Sequence, residues 1–563
     1  MQTGIASSWA WRWQVSALVF LGAVAAGCAP AQPLSSGEAP GGAQAAQPPG
    51  PPPGPARGGV LQWAPPKAQA SLHPHKGGTA EIMRHTGAGY ESLISFKHEP
   101  GEDFRAKLDT VPWLAESWNQ LDDLTYIFSI RKGVKWHDGT DFTATDVLFT
   151  YEWLRQEKLG ASSRLALVDR MEAPDPYTVR LILKSPASDM LVQLADRNLL
   201  IVPKHAVERG DDLNKVLIGT GPFKIKSFRS GAETVWERFP DYWQPGRPYA
   251  DGVRQIWTLD PSAMMAAFIA GDNDLLSVVD VAQLESVLQT RPVAGFQVLP
   301  SDIGVGLLLK LDRPPFSDAR VRRAVQLAVD REAMNQTLSK GKGMYVTPGA
   351  WAGRDGWTMP QEELRRLPGF RQPKDQDMAE ARRLLAEAGY PQGLSFDLIY
   401  NGGGSGPPRI AEVLSPQLRG IGITANLKPM ESAAYNQVDL QTGDWAGGNL
   451  PTLVNSQFRE LFDRFHSQGP RNKMGLNDPQ LDSLIEGTLA GKDVEARRRT
   501  ARRLQEYFLE QVYYVPTVEP VSTAMWQPWV HDYHFNGGNL LSPHQDTYGR
   551  LWLDVQAMPA ARR

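Results

Sequence analysis

The chain has 563 residues, a formal net charge of -3 and one cysteine. It is long enough for two or more cored domains and has no basic excess to suit it to nucleic acid. An internal disulfide is excluded, and plentiful Trp and Pro with moderate charge exclude general disorder. In the first residues, Arg12 precedes an uncharged run over 15–27 that is too short to span a bilayer of roughly 30 Å as a helix. Residues 1–27 therefore read as a signal peptide.

That run stops at Ala25, Ala26, Gly27 and Cys28, which resembles a lipobox, with Ala25 standing where the pattern usually has Leu. The resemblance implies lipidation of the Cys28 thiol, and acyl chains gaining about 0.8 kcal/mol per buried methylene would hold the protein on a membrane surface. Residues 28–57 are rich in Pro, Gly, Ala, Gln and Ser, cannot bury enough surface to fold, and read as a tether. The folded body begins near Gly58.

Val60, Leu61 and Trp63 predict a first strand, broken by Pro65 and Pro66. His73 and His75 stand two residues apart in a loop, without the Cys or carboxylate partners that a metal site needs. Leu124, Tyr126, Phe128 and Ile130 alternate as one face of a strand, followed by turns at Lys132-Gly133 and His137–Thr140. Thr143 and Asp146 have capping-box spacing ahead of Val147, Leu148 and Tyr151. Gly219, Thr220, Gly221 and Pro222 complete neither phosphate-loop pattern and read as a structural turn. Ser317 is placed to cap a helix with Val321, Ala324, Val325 and Ala328 on its buried stripe, and Asp377 with Glu380 to cap one ended by Gly389. Pro416 should kink or shorten a helix over 410–419, Asp478-Pro479 opens another, and 497–511 predicts a long charged one.

Several of these stretches carry a family resemblance. Thr125 to Phe128, Arg131 to Gly139 and Phe142 to Phe149 resemble the signature of the family 5 extracellular solute-binding proteins, the peptide and nickel receptors of ABC importers. Leu72–His75, Tyr90–Leu93, Gly219–Pro222, Asp241–Trp243 and 316–332 resemble further family motifs, so the likeness spans about 58–540. It implies an α/β, periplasmic-binding-protein-like type II two-lobed fold with an extra subdomain in the first lobe. The implied domains are a discontinuous lobe I (58–95, 215–305 and 510–563), its extra subdomain (96–214) and lobe II (306–509).

By the same resemblance the ligand sits in the interlobe cleft, enclosed by hinge closure, with aromatic faces and a few polar groups supplying affinity. Candidate ligand-binding residues are Trp63, Trp351, Asp444, Trp445, Gly447, Asn449 and Glu519. Trp445 either stacks on the ligand or is a core tryptophan; Glu519 is either a cation anchor or a surface acid. Oligopeptide receptors carry, three residues after a Trp in this region, an Asp that pairs with the peptide's amino terminus; that Asp is missing here, and Asn449, Leu450, Pro451 and Thr452 occupy the stretch where Asp-Tyr-Pro would be expected. Losing that bond would cost a peptide roughly 1.5–3 kcal/mol. The expected protein is a substrate-binding lipoprotein, extracytoplasmic, anchored at Cys28, monomeric and without cofactor or metal, that passes an oligopeptide-like or other medium-sized polar solute to an ABC permease. An oligosaccharide receptor is the first alternative. A secreted hydrolase is the alternative from another class, although neither HExxH nor GxSxG is present.

Overall fold

The computed structural model describes residues 54–563 apart from 66–70, 77–86, 98–108, 188, 258–259, 278–280, 292–293, 301–302, 346–356, 404–405, 455–457, 490–492, 520 and 534–543. Cys28, Trp351 and the signal-peptide reading lie outside the described residues.

The apolar run at the start of the folded body forms the strand Val60–Trp63, near the middle of a seven-stranded sheet. Its order is Gly295–Pro300, Val521–Trp526, Leu275–Ser277, Val60–Trp63, Gly252–Ile256, Glu233–Arg238 and Phe223–Arg229. A second sheet of six strands runs Ile423–Met430, Leu394–Asn401, Gly448–Leu450, Ile303–Leu309 and Thr452–Val454, with Tyr514–Pro516 also paired to Ile303–Leu309. A separate antiparallel sheet joins Ala115–Gln120, Thr125–Ile130, Thr178–Leu183 and Val168–Asp175. The predicted alternation is visible in it: Tyr126, Phe128 and Ile130 are buried while their neighbours in Thr125–Ile130 are half-buried. The helix Ala144–Gln156 follows, with the Asp146 carboxylate accepting from the Thr143 amide at 3.0 Å, the capping-box contact its spacing predicts.

Buried Glu91 explains why four separate segments meet. Its carboxylate accepts from Trp113 Nε1 at 2.8 Å, Thr220 Oγ1 at 2.8 Å, Tyr242 Oη at 2.9 Å and Trp243 Nε1 at 3.0 Å. A buried carboxylate is tolerated only where donors replace water, and here the Gly219–Pro222 and Asp241–Trp243 turns supply them. Burial still raises its pKa from 4.5 to about 7.

The chain crosses between the two large sheets on neighbouring strands. Gly295–Pro300 pairs with Val521–Trp526 in the first sheet, and their continuations Ile303–Leu309 and Tyr514–Pro516 pair in the second. At the end of the chain, buried Asp274 accepts from Arg562 Nη2 at 2.8 Å, Trp529 Nε1 at 2.7 Å and the Gln62 amide at 2.6 Å, clasping the return segment onto the first strand.

Some helix ends differ from the sequence reading. Asp318, not Ser317, caps Ala319–Ala328, accepting from the Arg320 amide at 2.8 Å. Asp377 lies inside the helix Asp375–Glu387, where it pairs with Lys374 at 2.8 Å and Arg371 at 2.9 Å and accepts from the Gly369 amide at 2.8 Å. Gly406–Arg419 runs through Pro416 without ending there. Pro479–Leu489 and Val494–Gln511 form as predicted, the first capped by Asp478 and the second by Asp493.

Candidate functional site

Strand directions locate the site. In the first sheet, Val521–Trp526 is antiparallel to both Leu275–Ser277 and Gly295–Pro300, so those two point the same way. Val60–Trp63 and Gly252–Ile256 point with them. Their carboxyl ends therefore point toward the side on which Pro300 leads the chain across, although Trp63 and Ser277 lie level with Gly295 and Gln297, short of Pro300. In the second sheet, Ile303–Leu309 is antiparallel to Gly448–Leu450, which runs parallel to Leu394–Asn401 and through it to Ile423–Met430. Those carboxyl ends consequently lie beside Ile303, at the same crossing. Open α/β sheets take ligands outside the carboxyl ends of their strands, and here both sheets present those ends to the crossing.

Trp63, in one row with Leu275, Trp526 and Gly295, and Trp257, one residue beyond Ile256, end their strands on this side of the first sheet, both buried and both short of Pro300. Asn401 stands at the edge of the second, its side-chain oxygen accepting from the Gly403 amide at 2.9 Å and Ser432 Oγ at 3.0 Å. Glu519 lies on the returning crossing strand Val518–Glu519, opposite Met344, and is fully buried. Its charge, after burial, helps raise the pKa of the Tyr514 phenol.

The other expected residues are elsewhere. Lys310 donates its amide to the Gly447 carbonyl at 3.0 Å, so Asp444, Trp445 and Gly447 flank the far end of Ile303–Leu309, roughly 20 Å from the crossing. Trp445 is buried among Leu308, Leu461, Phe465 and Met474, with the Lys310 ammonium 5.1 Å from its ring centre. Asp444 is exposed. Asn449 is buried within the second sheet and fully engaged: Tyr435 Oη donates to its Oδ1 at 2.7 Å, and its Nδ2 donates to Asp439 at 2.7 Å. Arg464 closes that network on Asp439 at 3.0 Å and on Glu460 at 3.0 Å. Burial works against the Asp439 charge, but the Arg464 guanidinium outweighs it and holds the carboxyl below its usual range.

Gly448 clarifies the missing peptide anchor. A Cβ there would stand 2.8 Å from the Phe396 ring, 3.0 Å from Leu398 and 3.1 Å from Leu307. That direction is core, and no carboxylate fits without displacing Phe396.

His73 and His75 are internal. His73 Nδ1 accepts from the His75 amide at 3.0 Å, His75 Nε2 meets the Leu200 carbonyl at 2.8 Å, and burial lowers their pKa values to about 4 and about 3. Among the described residues no group of three His, Cys, Asp or Glu side chains is placed to hold a metal ion.

Two crossing strands between two large sheets and a separate antiparallel sheet are the features to compare with known receptors. Residues 109–458 match the model of the bacterial extracellular solute-binding proteins, family 5. The chain belongs to that family. This family 5 protein is a non-enzymatic, extracytoplasmic receptor of the ABC-importer type. The glutathione-binding protein GsiB of Escherichia coli is 25% identical over 449 residues, covering 74% of this chain and 82% of the relative. Heme-binding protein A of Haemophilus influenzae is 25% identical over 498 residues, covering 79% and 84%. Among solved structures, the periplasmic binding protein DppA of Helicobacter pylori in complex with the peptide STSA superposes with a TM-score of 0.71 at 22% identity, covering 89% of this chain and 99% of that one. The type II fold with an added antiparallel sheet is thereby that of the family.

Proposed function

We propose that this family 5 receptor, tethered outside the cytoplasm through lipid on Cys28, closes its two lobes as a monomer over a peptide-like or other medium-sized polar solute and delivers it to an ABC permease. The observation that carries this reading is that the parallel strands of both sheets point toward one crossing, with Asn401 and Glu519 beside it. Glutathione and peptides in the relatives' names support a peptide-like cargo.

The family's anchor for a free α-ammonium is absent, and Gly448 has no room for one, so the cargo is held mainly by aromatic surface and neutral hydrogen bonds, with Glu519 an acid on the returning crossing strand. That same absence favours an oligosaccharide as the second reading. Native mass spectrometry of the gently purified protein, followed by calorimetry with short peptides, N-acetylated peptides and oligosaccharides, separates the two. Stoichiometric binding of peptides with little loss on N-acetylation supports the first reading. Binding of sugars alone supports the second, and turnover of any bound compound overturns both. Cys28→Ser should release the protein from the membrane fraction, and an unchanged distribution would remove the lipid tether from the proposal.

A further inference from the structure

Among the described residues, the buried apolar clusters fall into two sets that share no residue, one drawn from 61–298 and 525–558, the other from 305–518. The four-stranded antiparallel sheet belongs to the first set. The corner between Pro479–Leu489 and Val494–Gln511 belongs to the second. These separately cored halves meet at that corner. Leu489 lines a cavity of about 50 Å³ whose other walls include Arg164, Leu167, Pro186, Asp189 and Met190. Space left unfilled between two faces forfeits part of their dispersion attraction, so they separate more easily than the layers of a packed core.

The charges beside this cavity are incompletely matched. Asp189 is buried, and among the described residues its carboxylate accepts only from Gln193 Nε2, at 3.1 Å. Arg164, on the same wall, is already paired with Asp196 at 2.9 Å. A buried carboxylate with one neutral donor is poorly compensated for the water it has lost, and an approaching cation improves its position. On the other side, Arg497 donates from Nε to the Thr488 carbonyl at 2.9 Å, which holds its guanidinium beside Leu489, with the centre of the Trp357 ring 5.1 Å away. Burial lowers the pKa of this guanidinium, and the Asp189 charge acts against that shift. The two charges therefore feel each other across the gap, yet stop short of ion-pair contact.

We propose that this corner is a closure latch, in which Arg497 of one half engages Asp189 of the other while Leu489 covers the contact. The antiparallel sheet thereby takes part in retaining the cargo without touching it, because the latch slows reopening. The inference rests on the proposed opening and closing of the two halves, and not on which cargo they take.

Because the chain has one cysteine, a pair of thiols can be placed without competition. In the full chain carrying Cys28→Ser, the substitutions Pro186→Cys and Leu489→Cys put one thiol on each side of the cavity, to be joined by a short bifunctional maleimide. The rate of joining, normalised to the reaction of each thiol with a monofunctional maleimide, reports how often the halves meet, and no cargo is needed. Joining should slow about fivefold on Asp189→Asn, on Arg497→Gln, or in molar salt, and the two substitutions together should cost little more than either alone. The salt arm leaves both charged side chains in place, so it stands even where a substitution disturbs folding. Small-angle scattering of the chain before and after joining tests the hinge separately. A contracted envelope with joining indifferent to salt and to both substitutions would overturn the latch alone. Identical envelopes, or no joining at all, would overturn it together with closure at this corner.

Discussion

Glu91 carries its pH dependence in one carboxyl. With a folded pKa of about 7 against an ordinary 4.5, the folded state keeps a proton that the unfolded state has lost between those values. Its contribution to stability is therefore full below about 4.5 and declines as pH rises through about 7, by on the order of 3 kcal/mol. Urea unfolding of wild type and Glu91→Gln at about pH 5 and pH 8 checks this; the wild type should lose more stability than the variant on going to the higher pH. Arg464 has the opposite character, since its worth lies in its partners. Arg464→Met strands Asp439 in the interior, while Glu460 keeps its pair with Arg471 at 2.6 Å, and should cost about 3–5 kcal/mol by chemical unfolding. Neither role was legible in the sequence. Glu91 was read as part of a motif, but its donors come from as far as Trp243, and no spacing rule links such distant residues.

Local elements were easier to read. The alternation of Thr125–Ile130 and the Thr143–Asp146 cap depend on neighbours in sequence, and both formed as expected. Cap assignments failed where tertiary bonds competed. Asp377 has capping chemistry but satisfies the Gly369 amide and two cations instead, and at Ser317-Asp318 either residue could have served. Pro416 was expected to end or bend its helix, yet Gly406–Arg419 continues past it because its apolar stripe, with Ile410, Leu414 and Leu418 buried, holds the backbone against the second sheet. Exposed Pro416 still lacks an amide proton, so Pro416→Ala should stabilise the protein by about 1–3 kcal/mol, read as a higher urea midpoint. An unchanged or lower midpoint would mean that the ring packs usefully.

At the scale of the molecule, the two-lobed class was legible because the motifs span nearly the whole body, whereas the strand polarity around the crossing was not. Which end of a strand faces the crossing depends on pairings such as Ile303–Leu309 with Gly448–Leu450, and these reverse the expected neighbourhood of Asp444 and Trp445. Charge also joins two segments that the proposed lobe division would set on opposite sides of the cleft. Glu285, on Val281–Thr290, pairs with Lys340 and lies 3.7 Å from Lys342, both of which follow Arg331–Ser339. Glu285→Lys should disfavour closure, raising the Kd for cargo severalfold at low ionic strength and hardly at all near molar salt. Equal effects at both ionic strengths would rule out this electrostatic contact. The first sheet has one more consequence. Its second strand, Val521–Trp526, and the Arg562 clasp on Asp274, 288 residues away in sequence, join distant stretches of chain. Val60–Trp63 and Leu275–Ser277 therefore gain a complete sheet only when pairings of large loop-closure cost have formed, which should make this sheet a slow step of refolding.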